Sequence, residues 1–147
     1  MKTIKSVREN PVVYTTPSPF ANTSRLAWLE RLNKRPLKKS DLDQVTKKLR
    51  LSNTMAAKIV GKALRSYQRQ NRESKLSLAA SENVLILSEL YSNGLKAFDG
   101  DEESFLKWLN TPIPALNNLK PIQMITSQMG IGLVNEELLR IEYSIFA

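Results

Sequence analysis

At 147 residues and 41% hydrophobic, the chain is long enough to bury a core as one ordinary domain or two small ones. It holds neither cysteine nor histidine, which removes disulfides, thiolate chemistry, the commonest general base and the commonest metal ligand; no catalytic residue, metal site or cofactor is expected. The net charge of +8 is split, with 18 Lys/Arg against 5 Asp/Glu in residues 1–75 and 4 against 9 in residues 76–147, so a basic half suited to a polyanion such as DNA adjoins an acidic half suited to self-association or another protein.

Residues 1–24 carry three prolines, Pro11, Pro17 and Pro19, among polar residues, and read as an extended arm. Ser24 can cap a short helix whose apolar side is Leu26, Trp28, Leu29 and Leu32, with Pro36 ending it. A second helix is expected from Ser40, with Asp43 as the acid of a capping box and Leu42, Val45 and Leu49 as the buried stripe.

The stretch 53–72 reads as two short helices parted near Gly61. A helix-turn-helix needs a small residue where its helices cross, a glycine four positions later for φ > 0, and a bulky anchor about six beyond that. Ala57, Gly61 and Tyr67 meet these needs, with Ala56, Ile59, Val60 and Leu64 filling the space between. The second helix then presents Arg65, Ser66, Gln68, Arg69 and Arg72, donors of the kind that read base edges and grip phosphates. Lys62, just after the glycine, departs from the usual apolar choice and is expected to face solvent or a phosphate. A plain helical hairpin with a solvated basic face is the competing reading.

Ser77 is expected to cap a long helix through Lys96, with Leu78, Val84, Leu85, Leu87, Leu90, Tyr91 and Leu95 as its apolar surface. Gly94 within it marks close packing or fraying. A turn at Gly100 follows, then Asp101 capping a helix with two acids in its first turn and Phe105, Trp108 and Leu109 inward. The cluster Asp99, Asp101, Glu102 and Glu103 lacks the spaced ligand pattern of a calcium loop. Pro112 and Pro114 break this helix, Asn117 and Asn118 make a turn, and Pro121 opens a short helix.

Gly130 leads into a terminal helix with Leu133, Val134, Leu138, Ile141 and Ile145 as one stripe and Glu136 and Glu137 in its early turns. The last residues, Tyr143 to Ala147, are unusually apolar for a tail, and either dock on the core or meet a partner. No strand pair, repeat, phosphate-binding glycine loop or nucleophile constellation is found. Nothing resembles a membrane span or signal peptide, and the chain reads as soluble and cytoplasmic. The fold class is all-α, with an extended arm (1–24), a helix-turn-helix-like DNA-binding domain with a long linking helix (25–97), and a small helical domain (98–147).

From about Leu51 onward the chain resembles antitoxins of the Xre/MbcA/ParS group, especially those of RES–Xre toxin–antitoxin pairs. IVGKALRSYQR (59–69) is similar to the family's glycine turn and basic recognition helix, and LSLAASENVLILSEL (76–90) to its linking helix. Residues 98–147 follow the toxin-binding domain in order: a Phe-Asp-Gly-Asp turn, Trp108-Leu109, Pro112, Leu116, Lys120-Pro121-Ile122, Thr126 with Gly130 four residues on, Val134, then LLRIEYSIFA. Departures are Ser144, Asn117 and Asn118, each where the family favours glycine.

The resemblance implies a homodimeric antitoxin that binds operator DNA and neutralises a cognate RES-domain toxin, which consumes NAD, by covering its active-site entrance. It implies toxin contact by Arg140, Glu142, Tyr143, Ser144, Ile145 and Phe146, and DNA contact by Arg65, Ser66, Gln68 and Arg69, to which the basic residues Lys62 and Arg72 beside them are added as DNA candidates on charge. A buried arginine flanked by aromatics is the expected hot spot. The alternative is a stand-alone helix-turn-helix transcription regulator without a toxin partner, which the absence of a neighbouring toxin gene would favour. An enzyme is the third reading, and nothing positions an acid–base pair for it.

Overall fold

The computed structural model describes residues 25–144. The expected arm and the last three residues, Ile145, Phe146 and Ala147, lie outside the described residues. Among the described residues there are seven α-helices and no strand, the all-α class expected from the apolar periodicity.

Helix α1, Arg25–Lys34, buries Leu32 in the core. Leu26 is 67% exposed and Leu29 is exposed as well, which corrects the expected apolar side. The Trp28 side chain lies outside the described residues. Helix α2, Lys39–Lys48, starts before Ser40, and its box acid is Asp41 rather than Asp43. The Lys38 amide donates to Asp41 Oδ2 at 2.8 Å, and the Lys39 and Ser40 amides donate to the Ser74 and Arg72 carbonyls, both at 2.9 Å. Orphan donors of the first turn are thus met by a carboxylate and by a neighbouring segment, so no hydroxyl cap is required. Leu42, Val45 and Leu49 are fully buried as expected, each contributing about 1.5–3 kcal/mol by area removed from water.

Helices α3, Asn53–Ile59, and α4, Leu64–Arg69, follow. Ser52 caps α3, accepting from the Met55 amide at 3.2 Å. Helix α5, Leu78–Ala97, begins at the Ser77 cap, whose hydroxyl accepts from the Ala80 amide at 3.1 Å. Val84, Leu87, Leu90 and Tyr91 are buried along it, while Leu78 at the first position is exposed. Gly94 is a close-packing residue: a Cβ there would overlap the Phe105 ring, which is fully buried beside Tyr91 and Phe98 at centroid distances of 6.2 and 6.1 Å.

At the end of α5 the turn uses Asp99 (φ 55°) as well as Gly100 (φ 83°). Helix α6, Glu102–Leu109, is capped by Asp101 as expected. Phe105 and Leu109 are buried; Trp108 is half-buried against Phe98, at 6.0 Å between centroids. Two 3-10 turns, Pro114–Leu116 and Pro121–Gln123, lead to α7, Gln128–Ser144. Asn117 and Asn118 sit at φ 59° and 61°, the left-handed region that asparagine tolerates better than most residues. Gly130 lies inside the first turn of α7, where a Cβ would collide with the Met124 carbonyl oxygen.

Helix α5 is the spine, and one apolar core continues along it from Leu32 to Leu138. Asn83 bonds Gln128 and Asn93 bonds Asn135, both at 3.0 Å; the pairs advance in the same chain sense, so α5 and α7 lie side by side and parallel. The buried face of α7 is Ile131, Val134 and Leu138. Leu133, expected on that stripe, is exposed, since it falls about 100° around the helix from Val134. The basic and acidic halves also meet through side chains. Arg50 Nη2 pairs with Glu103 Oε2 at 2.6 Å, the Tyr91 hydroxyl donates to Glu102, and Lys48 Nζ lies 5.3 Å from the Tyr91 ring centre.

Candidate functional site

The first surface is built on α3 and α4. Ala57 is buried, Gly61 adopts φ 69°, and Tyr67 is buried, as the three-residue pattern requires. The turn closes with the Gly61 amide on the Lys58 carbonyl at 3.1 Å and the Lys62 amide on the Ala57 carbonyl at 2.9 Å, a Schellman ending with glycine at its left-handed position. The residue after that glycine usually packs back on the helix; here it is Lys62, which is exposed. Leu64 is exposed too, and does not fill the space between the helices as expected.

Tyr67 anchors α4 to α2. Its hydroxyl donates to Asp43 Oδ1 at 2.9 Å, and Lys39 Nζ sits 4.5 Å from its ring centre while donating to the Gln70 carbonyl at 3.0 Å. Burial first, then the Asp43 carboxylate, push the Tyr67 hydroxyl well above its ordinary range. Lys39 is consequently buried and withdrawn from the basic surface. With Tyr67 inward, Arg65 and Arg69 fall within about 40° of each other on the outer side of α4, and Ser66 and Gln68 flank them. All four are exposed, as are Lys62 and Arg72 in the adjoining loops. The six residues expected to contact DNA are therefore all accessible on α4 and in the loops on either side of it, and the α3–α4 turn is compatible with a helix-turn-helix.

The second surface is α7 and the loops beneath it. The Arg140 side chain, expected to face the toxin as a hot spot, is 63% exposed in the chain on its own, paired with Glu137 and, at 4.0 Å, with Glu136. The outward position follows from helix phase, since Leu138 is the residue turned into the core. Measured around the helix at about 100° per residue, Tyr143 and Ser144 lie within about 60° of Arg140, whereas Glu142 falls on the far side and is half-buried. The residues expected to meet the toxin are thus not all on one face. Ser144 stays helical, its hydroxyl donating to the Ile141 carbonyl at 2.9 Å. Ile145 and Phe146 lie outside the described residues.

Sequence reasoning missed three exposed apolar residues on α7: Met129, Leu133 and Leu139. Leu139 lies about 100° around the helix from the buried Leu138 and falls on the exposed side. Sequence reasoning also missed Asn83, whose Nδ2 donates to the Ile59 carbonyl at 2.8 Å while its Oδ1 accepts from Gln128, joining the end of α3 to the start of α7. Near the α6 cap, the Ser104 hydroxyl and amide hold the Asp101 carboxyl below its usual range. Burial and the Glu102 carboxylate push the Tyr91 hydroxyl up to about 12. Among the described residues no group of acids is arranged to hold a metal ion, and no helix is long and apolar enough to cross a membrane.

Residues 95–143 match the family model of the antitoxin Xre/MbcA/ParS C-terminal toxin-binding domain. The matched segment opens in the last turn of α5 and closes at Tyr143 on α7, so it contains α6, both 3-10 turns and nearly all of α7. No curated protein matches the chain. The match makes residues 95–143 similar to the toxin-binding domain of an antitoxin.

Proposed function

We propose that this chain is the antitoxin of a type II pair, that it neutralises a NAD-degrading RES-domain toxin in the cytoplasm by covering its active site, and that a homodimer of it represses its own operon. The observation that carries the reading is the domain match over residues 95–143, combined with the outward Arg140 and Tyr143 at its end. A tail that continues past an exposed aromatic residue suits insertion into a partner's cleft, and the acid excess of residues 76–147 suits a basic rim around it. Repression is supported by the exposure of Lys62, Arg65, Ser66, Gln68, Arg69 and Arg72 on α4 and its adjoining loops, after a glycine turn at φ 69°.

Truncation after Arg140 tests the two activities separately. Cells co-expressing the toxin and the truncated chain are expected to lose protection while operator binding is retained. Undiminished protection by the truncated chain would refute the role of the tail. For the other surface, Arg69→Ala is expected to weaken operator binding by about 1–3 kcal/mol at fixed salt if the side chain reads a base. An unchanged operator affinity would remove Arg69 from the contact.

A further inference from the structure

The outward face of α7 carries an exposed row that begins at Tyr143 and continues into residues the tail hypothesis does not use. Met129, Gly132, Glu136, Leu139 and Tyr143 recur at steps of three and four residues, so they form one continuous stripe. Met129 is 81% exposed, Leu139 and Tyr143 are exposed, and Gly132 and Glu136 lie open between them. Gly132 is the informative residue. It sits in the helix interior, where glycine weakens a helix relative to alanine, and a Cβ there would meet nothing within 4 Å. Its backbone is not in the left-handed region. The chain's other glycines are each required by a positive φ or by a close neighbour. Nothing within the described chain compensates for glycine at 132.

We infer that Gly132 is a contact notch, and that the toxin's footprint runs up the outer face of α7 from Tyr143 to Met129, with an apolar side chain of the toxin seated over the Gly132 backbone. The inference rests on the antitoxin reading and adds to it a second contact region, about 11 residues, or roughly 16 Å, from Tyr143. Several observations favour a protein occupant with an apolar knob and a basic rim. The notch is bordered by Met129, a flexible and polarizable side chain suited to an adaptable contact. Glu136 sits one turn along the same stripe, offering a carboxylate to a cationic rim. The stripe is continuous with Tyr143, and all of it falls inside the segment that matches a toxin-binding domain.

The test titrates the purified toxin encoded beside this gene against the full-length chain and its variants by calorimetry, with thermal melts of each free chain alongside. Gly132→Ala is expected to leave the melting temperature of the free chain unchanged or raised, and to weaken toxin binding about tenfold or more, with Gly132→Met weaker still. Met129→Glu, placed on an open surface, is expected to weaken binding without loss of fold. If both Gly132 variants bind as tightly as the parent chain, the notch is not a contact and the inference is overturned, while the antitoxin reading stands. If the parent chain itself fails to bind, both are overturned. A Gly132→Ala chain that melts lower than the parent would also overturn the inference, because it would show that glycine serves the chain's own fold.

Discussion

Replacing Asn83 with alanine is expected to loosen the junction between the two surfaces. Asn83 lies half-buried on α5, its Nδ2 donating to the Ile59 carbonyl at 2.8 Å and its Oδ1 accepting from Gln128 at 3.0 Å. The Ile59 carbonyl ends α3 and belongs to the group that a helix terminus leaves without intrahelical partners. Removing its donor in a part-buried site costs about 1–3 kcal/mol, and the exposed bond to Gln128 adds no more than about 0.5 kcal/mol. A total near 2 kcal/mol corresponds to a fall of about 4–8 °C in melting temperature for a chain of this size. Asn83→Asp separates this cause from general disturbance. It keeps an acceptor for Gln128 but sets a carboxylate against the Ile59 carbonyl, so at neutral pH it is expected to be less stable than Asn83→Ala. Protonation restores a donor; the folded carboxyl has a raised affinity for its proton, so the deficit shrinks as pH falls below about 5. Urea melts at pH 7 and pH 4 measure both effects. An aspartate variant as stable as the parent at pH 7 would refute the assigned hydrogen bond.

Two further outcomes follow from the packing and the titrations. Gly130→Ala gains helix propensity of about 1 kcal/mol but drives a methyl into the Met124 carbonyl oxygen, a backbone atom that cannot rotate away, so a net loss of about 2–4 kcal/mol is expected in a chemical melt; a stability equal to the parent would show that the loop before α7 yields freely. Tyr91, whose hydroxyl is pushed up to about 12 against an ordinary value of 10.0, binds its proton more tightly folded than unfolded. Its contribution is complete below pH about 10 and is lost as pH rises towards about 12. Tyr91→Phe is expected to flatten that part of the alkaline stability curve, and tyrosinate absorbance in the parent checks the titration directly.

Sequence by itself determined the helical class and most element boundaries. Periods of three and four residues, punctuated by prolines and by Ser77 and Asp101, mark where helices start and stop, because caps and breakers act within one turn of the chain. The Ala57–Gly61–Tyr67 spacing was legible for the same reason: a crossing, a left-handed turn and an anchor are local demands. The ordered residues from Phe98 onward also pointed to the toxin-binding domain that the family model matches over 95–143.

Only the tertiary structure decided which side chains those helices spend on one another. Asp43 looked like a helix-capping acid and is instead the acceptor for Tyr67, brought to it by the fold from 24 positions away. Lys39, a cation of the basic half, is buried against the same tyrosine. Arg140 faces solvent because Val134 and Leu138 decide the phase of α7 against α5. Asn83 carries no pattern at all in the sequence, since its two partners come from different helices. The two neighbouring glycines of α7 show the limit most plainly. Residues 130 and 132 read alike in the chain, yet the Met124 carbonyl presses on one and open space faces the other. Periodicity constrains what a helix offers; which residues become core and which become surface is settled by what packs beside it.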